Sequence, residues 1–330
     1  MPWIFAFVVG FATKAEEKRG IGPAAGRDGV ASSGSLSHGI REFVNIKSVQ
    51  ALVIPRGSCS VPTFEDPMSA NEIRFDDGAA YEGFMGAWSL LAGDSFLQWL
   101  APPAAWRWAD VGCGNGAFTE LLVERCAPVE VQGIDPSEGQ LAFARSQRAH
   151  GPVQFRQGDA MALPYADAAF DAAVMALVIF FVPDPAKGVA EMARVVRPGG
   201  SVSAYAWDML GGGFPFAALS RELVAFGAPV LLPPSVEASR IEAMQALWKD
   251  AGLIDVETRT ITVERTFADF DTFWKIAQTG PRIAPRVAAM APADVELLKD
   301  RLRARLPPDA GGRITYSARA NAVKGRKAGS

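Results

Sequence analysis

The sequence is poor in the residues that carry most acid–base, metal and disulfide chemistry. It has only two histidines, His38 and His150, so the commonest general base is restricted to two positions. Its three cysteines are odd in number and form no CxxC pair, which argues against a disulfide framework and against a zinc site. We therefore expect no metal site, and the cysteine content favours a reducing compartment, the cytoplasm.

An excess of one charge and a long apolar run are also missing. The 330 residues carry a net charge of −3, so no basic surface for nucleic acid or for an anionic membrane is expected. The apolar run at residues 2–12 is too short to span a bilayer. Its positive neighbours follow it, whereas those of a signal peptide precede the apolar run. We expect neither a nucleic-acid partner nor a membrane partner.

Residues 1–67 differ in composition from the rest of the chain. After the apolar run comes a segment rich in glycine, alanine and serine, residues 21–37, which is typical of a flexible linker. We expect residues 1–67 to be a disordered leader or an over-extended start of the reading frame. The folded domain is then predicted to cover residues 68–330.

Short β-rich runs alternate with helical stretches from about Arg107 onward, which predicts a parallel sheet wrapped by helices. The predicted strands are 106–111, 129–135, 153–157, 171–177, 201–207, 255–264 and 313–324. One helix is predicted to begin at Ser137 with a capping box, another at Asp184-Pro185, and a third covers 238–251. Two stretches, 211–235 and the largely helical 266–306, interrupt the alternation and are predicted to form a lid over a substrate pocket.

The stretch ADVGCGNGAF, residues 109–118, places three alternating glycines behind an aspartate. No lysine follows Gly116 before Lys187, so the loop is not the phosphate-binding loop of an NTPase. A dinucleotide site stays open, because residues 112–117 satisfy G-x-G-x-x-A and Asp135 lies at about the distance of a ribose-binding acid. Asp110 favours another ligand, since a carboxylate just before the loop would repel a pyrophosphate and suit a positively charged group.

Further motifs follow in a fixed order. GIDPSEGQLAFAR comes after the loop, then QGDAMALPYADAAFDAAVMAL, then FVPDPAKGVAEMARVVRPGG. With ADVGCGNGAF, this series resembles the class I S-adenosylmethionine-dependent methyltransferases, and above all their small-molecule branch, which includes the ubiquinone/menaquinone biosynthesis C-methyltransferases. The resemblance runs from about Arg74 to Lys327. It implies a Rossmann-like, seven-stranded α/β sheet, mostly parallel with the last strand antiparallel, with helical lid insertions.

The resemblance also implies a cofactor, S-adenosylmethionine, and the residues that hold it. Asp110 would face the ammonium group, Gly112 and Gly114 would let the backbone approach the methionine part, and Asp135 would accept from both ribose hydroxyls. The other implied positions are Cys113 within the loop, Pro136 and Ser137 beside the adenine, Asp159 and Ala160 at the adenine edge, and Leu177 on the path to the methyl group.

The reaction implied is in-line transfer of the methyl group to an O, N or C atom of a small molecule, for which aromatic residues in the two insertions favour an apolar or aromatic acceptor. The candidates for a catalytic role are Tyr81 and Asp208, because Phe180 stands where relatives often carry a polar residue. Two alternatives remain: a nicotinamide-dependent oxidoreductase, and a regulatory protein that binds S-adenosylmethionine without catalysis. Oligomeric state is not specified by any of these motifs.

Overall fold

The computed structural model describes residues 82–227, 232–281 and 283–329. Its strands are β1 Arg107–Val111, β2 Glu130–Asp135, β3 Val153–Gln157, β4 Phe170–Ala176, β5 Val196–Trp207, β6 Leu253–Phe267 and β7 Ile314–Lys327. Its α-helices are α1 Ala87–Leu100, α2 Ala117–Cys126, α3 Glu138–Arg148, α4 Pro185–Val195, α5 Ala217–Ala225, α6 Ile241–Asp250, α7 Phe270–Ala277, α8 Ala284–Ala288 and α9 Pro292–Arg305.

The seven strands form one sheet in the order β3-β2-β1-β4-β5-β7-β6. Neighbouring strands from β3 to β5 are parallel, whereas β7 runs antiparallel to both β5 and β6. The predicted fold class is confirmed, including the antiparallel last strand. Because β1 is flanked by β2 and β4, the chain reverses its direction of winding beside β1, and ligands of open α/β sheets bind at such a switch point.

Local sequence signals explain several helix starts. The Ser137 hydroxyl accepts a hydrogen bond from the Gln140 N–H at 3.3 Å, and α3 begins at the next residue. The Asp184 carboxylate accepts from the Lys187 N–H at 3.1 Å, with Pro185 in the first turn of α4. Both side chains satisfy N–H groups that lack an intrahelical acceptor. The two predicted helix starts are confirmed.

Several predicted boundaries are wrong. The last two strands each end three residues beyond their predicted ends, at Phe267 and Lys327. The fifth strand begins at Val196 rather than Ser201, and residues 197–200 bulge out between the pairs Phe170–Val196 and Ala172–Ser201. The predicted helix 238–251 is divided into a 3₁₀ turn, Val236–Ser239, and α6, with Arg240 extended between them. The Asn321 side chain donates to the Ser239 carbonyl at 2.9 Å, so that carbonyl has a partner outside the helix.

Helices cover both faces of the sheet. Phe96 of α1 packs on Tyr205 of β5, with ring centroids 4.7 Å apart. On the opposite face, Trp248 of α6 donates its Nε1–H to the Val202 carbonyl at 2.8 Å. None of the helices in the described ranges is long and apolar enough to cross a membrane.

The two insertions pack into the core and against each other. Stretch 266–306 contains α7, α8 and α9, so its predicted helical character is confirmed. Phe216 and Phe273, one from each insertion, are fully buried with ring centroids 5.8 Å apart. Glu222 of α5, also buried, pairs with Arg305 of α9 at 2.6 Å. Both aromatic rings lie in the core, and the lid stays a prediction. The predicted leader, residues 1–67, lies outside the described residues, so the domain division also stays a prediction.

Candidate functional site

The glycine-rich loop joins β1 to α2 at the carboxyl edge of the sheet. Gly112, Gly114 and Gly116 have φ angles of +80°, +52° and +83°, a left-handed conformation that favours glycine. The N–H groups of Gly112 and Cys113 both donate to the Ile134 carbonyl, at 2.7 and 3.0 Å. The loop is therefore fastened to the end of β2, the strand that carries the next predicted site residue.

Asp135 connects two predicted parts of the site through its carboxylate. One oxygen accepts from the Gly114 N–H and the other from the Ser137 N–H, each at 2.9 Å. Burial raises the pKa of Asp135, and the two N–H groups act in the opposite direction. Each carboxylate oxygen retains a second lone pair, so Asp135 can accept from two ligand hydroxyls while it holds the loop.

Asp110 lies completely buried at the end of β1. Its Oδ2 accepts from the Thr119 hydroxyl at 2.6 Å, whereas Oδ1 has no hydrogen-bond partner in the part of the chain that the structure describes. Burial raises the pKa of Asp110 to about 7, and the nearby Asp135 carboxylate adds to the shift. An acceptor oxygen without a donor beneath the loop fits a cationic ligand and disfavours a pyrophosphate.

The structure distinguishes the glycines of the loop. A Cβ on Gly112 would lie 2.4 Å from Cγ1 of Val178, so the missing side chain makes room for that valine. A Cβ on Gly114 would meet nothing nearer than Gln140 Oε1 at 3.9 Å. The open approach to the backbone is thus at Gly114. Gly116 packs on Phe155, whose ring would lie 2.8 Å from its Cβ.

The predicted adenine residues lie together at the ends of β2 and β3. The Gln157 side chain donates to the Pro136 carbonyl at 2.9 Å, which joins the two segments. Asp159 is exposed, and its Oδ1 accepts from the Met161 N–H at 2.8 Å. Ala160 beside it is half-buried. The Asp159 Oδ2 lies away from that turn bond and can accept from a ligand amine.

Leu177 and Cys113 are buried beside the loop. Leu177 follows β4 with φ +63°, and its N–H donates to the Tyr205 carbonyl at 2.8 Å. A left-handed non-glycine residue is costly, and such positions cluster at functional sites. Burial raises the pKa of the Cys113 thiol well above its usual range, so the thiol stays protonated. Cys113 therefore has a packing role in the loop and no nucleophilic one.

Of the two candidate catalytic residues, the structure describes Asp208, whereas Tyr81 lies outside the described residues. Asp208, just past β5, uses Oδ2 to accept from Arg319 Nε at 2.9 Å and Oδ1 to accept from the Gly211 N–H at 2.9 Å. These contacts give Asp208 a role in the turn, and its catalytic role stays a prediction.

Sequence reasoning missed three residues that shape the site. Thr119 donates to Asp110, Val178 packs on Gly112, and Arg148 donates to the Asn115 carbonyl within the loop at 2.9 Å. Thr119 and Val178 each lie near a motif residue in the sequence, but a threonine or a valine does not by itself indicate a role in a binding site. Arg148 lies at the end of α3, far along the chain from the loop that it contacts.

Comparison with known proteins agrees with this geometry. Residues 109–204 match the family model described as a methyltransferase domain. The matched region covers the loop, Asp135, the adenine segment and most of β5. It confirms the resemblance to class I methyltransferases and favours this interpretation over a nicotinamide-dependent oxidoreductase.

Curated relatives carry related names. The chain is 41% identical over 98 residues to demethylmenaquinone methyltransferase of Desulfitobacterium hafniense, a match that covers 28% of this chain and 39% of the relative. It is 37% identical over 136 residues to malonyl-[acyl-carrier protein] O-methyltransferase of Methylococcus capsulatus, covering 41% and 47%. It is 35% identical over 122 residues to the ubiquinone/menaquinone biosynthesis C-methyltransferase of Dinoroseobacter shibae, covering 36% and 48%. The chain thus spans less than half the length of these relatives.

Proposed function

We propose that this chain transfers a methyl group from S-adenosylmethionine to an O, N or C atom of a small apolar or aromatic molecule, an activity of class EC 2.1.1.-. One observation carries the proposal. A fully buried carboxylate, Asp110, and a half-buried one, Asp135, lie at the ends of adjacent parallel strands on either side of a left-handed glycine loop. This arrangement suits a cationic ligand with hydroxyl groups and repels a phosphate.

The residues present fit S-adenosylmethionine, which combines an amino acid, a sulfonium and an adenosine. Asp110 Oδ1 has no donor among the described residues, and an ammonium group would supply one. Asp135 would accept from the ribose hydroxyls, and Gly114 offers open backbone for the methionine part. Pro136, Ser137, Asp159 and Ala160 would surround the adenine.

When bound, the cofactor supplies a methyl group on a sulfonium, which is already an activated leaving group. The task of the protein is to align the acceptor atom and to exclude water. Leu177 and Phe180, which follow β4, are 7% and 3% exposed and provide an apolar wall. The acceptor must carry its own nucleophilic atom, and Tyr81 and Asp208 are the proposed candidates to receive its proton.

The names of the relatives support a small acceptor. One name gives demethylmenaquinone, another gives ubiquinone/menaquinone biosynthesis, and the third gives a malonyl group on an acyl-carrier protein. We extend to this chain only the class that the sequence also favours, an apolar or aromatic small molecule. We also propose a cytoplasmic location and no nucleic-acid or membrane partner.

Calorimetric titration tests the cofactor. We expect the full chain to bind S-adenosylhomocysteine and not NADH, since the two carboxylates oppose a pyrophosphate. Binding of NADH without a response to S-adenosylhomocysteine would refute the proposal. Turnover of S-adenosylmethionine with a panel of quinones, phenols and amines then tests catalysis. Cofactor binding without turnover on that panel would favour the regulatory alternative.

A further inference from the structure

Trp88 and Arg265 each carry a buried hydrogen-bond donor, outside the cofactor site, that has no acceptor among the described residues. Trp88, in the first turn of α1, is fully buried, and its Nε1–H meets no hydrogen-bond partner in the described part of the chain. Arg265 of β6 is half-buried, and its Nη1 is also buried without a partner. Buried polar groups are normally paired, because an unmade hydrogen bond costs the full desolvation of the group.

The two donors border the same pair of aromatic rings. The Trp88 ring lies 6.4 Å from the Phe267 ring and 6.1 Å from the Tyr316 ring, measured between centroids. The Arg265 guanidinium lies 4.7 Å from the Phe267 centroid, and Arg265 is the cross-strand partner of Tyr316. Phe273 completes the wall, 5.3 Å from Phe267. The donors thus belong to one aromatic cluster.

Arg265 also lacks a compensating charge. Burial lowers the pKa of its guanidinium, and no carboxylate in the described ranges acts in the opposite direction. The phenol of Tyr316 is already engaged, because it accepts from the Ala218 N–H at 3.1 Å. Within these ranges the cluster therefore offers a cation and an indole N–H, and it lacks an anionic acceptor.

The cluster lies at the same edge of the sheet as the cofactor site. Strand β6 runs in the same direction as β5, with β7 between them. Ala320 of β7 pairs with Trp207, the last residue of β5, and with Ile261 of β6, so Trp207 and Ile261 lie at the same height in the sheet. Arg265 comes four residues later, about 13 Å further along the strand at 3.3 Å per residue. The cluster therefore extends beyond the carboxyl ends of the parallel strands, on the side where an acceptor has to enter.

We propose that Arg265 and Trp88 form the binding site for the carboxylate group of an aromatic acid, and that this acid is the methyl acceptor. A guanidinium binds a carboxylate through two parallel hydrogen bonds, and the surrounding rings suit a flat apolar body. The indole N–H supplies a further donor. This inference rests on the proposed methyl transfer for the role of the ligand, but the binding site can be tested without it.

The test compares two probes that differ only in charge at one group. The probes are 4-hydroxybenzoate and its uncharged amide, 4-hydroxybenzamide, titrated into the full chain and followed by calorimetry or by ligand-observed NMR. We expect the acid to bind about tenfold or more tightly than the amide, as a charge-assisted hydrogen bond exceeds a neutral one. Equal affinities, or no binding of the acid, would overturn the proposal.

Substitutions of Arg265 and Trp88 test whether these two residues bind the carboxylate. Arg265→Gln should abolish the preference for the acid, and Arg265→Lys should keep part of it because the charge remains. Arg259→Gln removes an exposed arginine of the same strand and should leave the preference unchanged. Trp88→Phe should weaken the acid more than the amide, because the lost indole N–H donates more strongly to a charged oxygen than to a neutral one. Because Trp88 is in the core, thermal melting must show that this variant is folded before its affinities are compared.

Three further outcomes are informative. If Arg265→Gln lowers the melting temperature and leaves the preference for the acid unchanged, the arginine pairs with a carboxylate of this chain and the proposal falls. If the acid binds through Arg265 but S-adenosylhomocysteine does not bind, the carboxylate site stands and the proposed methyl transfer fails. Turnover with 4-hydroxybenzoate that depends on Arg265 would support both.

Discussion

Replacing Asp110 by asparagine should stabilise the protein at neutral and alkaline pH. Burial raises the pKa of Asp110 from 3.8 to about 7, because the ionised form loses its hydration at the end of β1. A shift of about 3 pKa units corresponds to about 4 kcal/mol of free energy that disfavours the ionised form in the folded state. Asparagine keeps an acceptor for the Thr119 hydroxyl and carries no charge.

The stability contribution of Asp110 changes with pH because the folded and unfolded chains bind its proton with different affinity. Between pH 3.8 and about 7 the folded chain binds the proton of Asp110 more tightly than the unfolded chain does. The contribution of Asp110 to stability is therefore complete below pH 3.8 and is lost as the pH rises to about 7. Relative to the wild type, Asp110→Asn should gain up to about 1.4 kcal/mol per pH unit in this window, and no more above it.

Urea unfolding at pH 5, 6, 7 and 8 measures this difference for the wild type and the variant, both without ligand. Asp250→Asn, at an exposed position, is the control for the loss of one surface carboxylate. A stability difference between wild type and Asp110→Asn that does not change with pH would refute the account. The same variant should bind S-adenosylhomocysteine more weakly, because the cationic ammonium loses its partner.

Four other substitutions test the site. Asp135→Asn should weaken S-adenosylhomocysteine binding by about tenfold or more in calorimetry, since an amide cannot accept from both the Gly114 and the Ser137 N–H groups. An unchanged affinity would contradict the assignment. Gly114→Ala should lower the free energy of unfolding by about 1–2 kcal/mol, because alanine is strained at its left-handed φ. Gly112→Ala should lower it further, because the added Cβ also overlaps Val178. Equal losses for the two variants in urea unfolding would show that Val178 moves freely. Asp208→Asn should lower the melting temperature through its arginine partner, and a loss of turnover without a change in melting temperature would instead favour catalysis.

Features that depend on a few neighbouring residues were predictable. The starts of α3 and α4 follow from Ser137 and Asp184, because a cap is a contact between residues three apart. β3 was predicted with its observed bounds, Val153–Gln157, since it is bordered by turn residues on both sides. The positions of Asp110 and Asp135 at the ends of strands follow in the same way from the strand–loop–helix pattern.

Contacts between distant residues were not predictable. The bulge at residues 197–200 depends on the pairing of β5 with β4, and the break at Arg240 depends on Asn321 of β7. Neither partner is near in sequence. Hydrophobic periodicity predicts which face of a helix or strand is apolar. It does not predict which polar group of another strand will donate a hydrogen bond to a given backbone carbonyl.

For this chain, the amino-acid sequence by itself determined the α/β class, the glycine loop and the carboxylates that end the first two strands, because each depends on local propensity and spacing. Only the tertiary structure decided that Val178 fills the space at Gly112 and that Asp208 pairs with Arg319. It also decided that Arg265 and Trp88 border the same aromatic rings with no acceptor among the described residues. The reason is physical. Which side chain lies against which is settled by packing among strands and helices far apart in the chain, and that packing also sets the burial from which the charge properties of Asp110 and Arg265 arise.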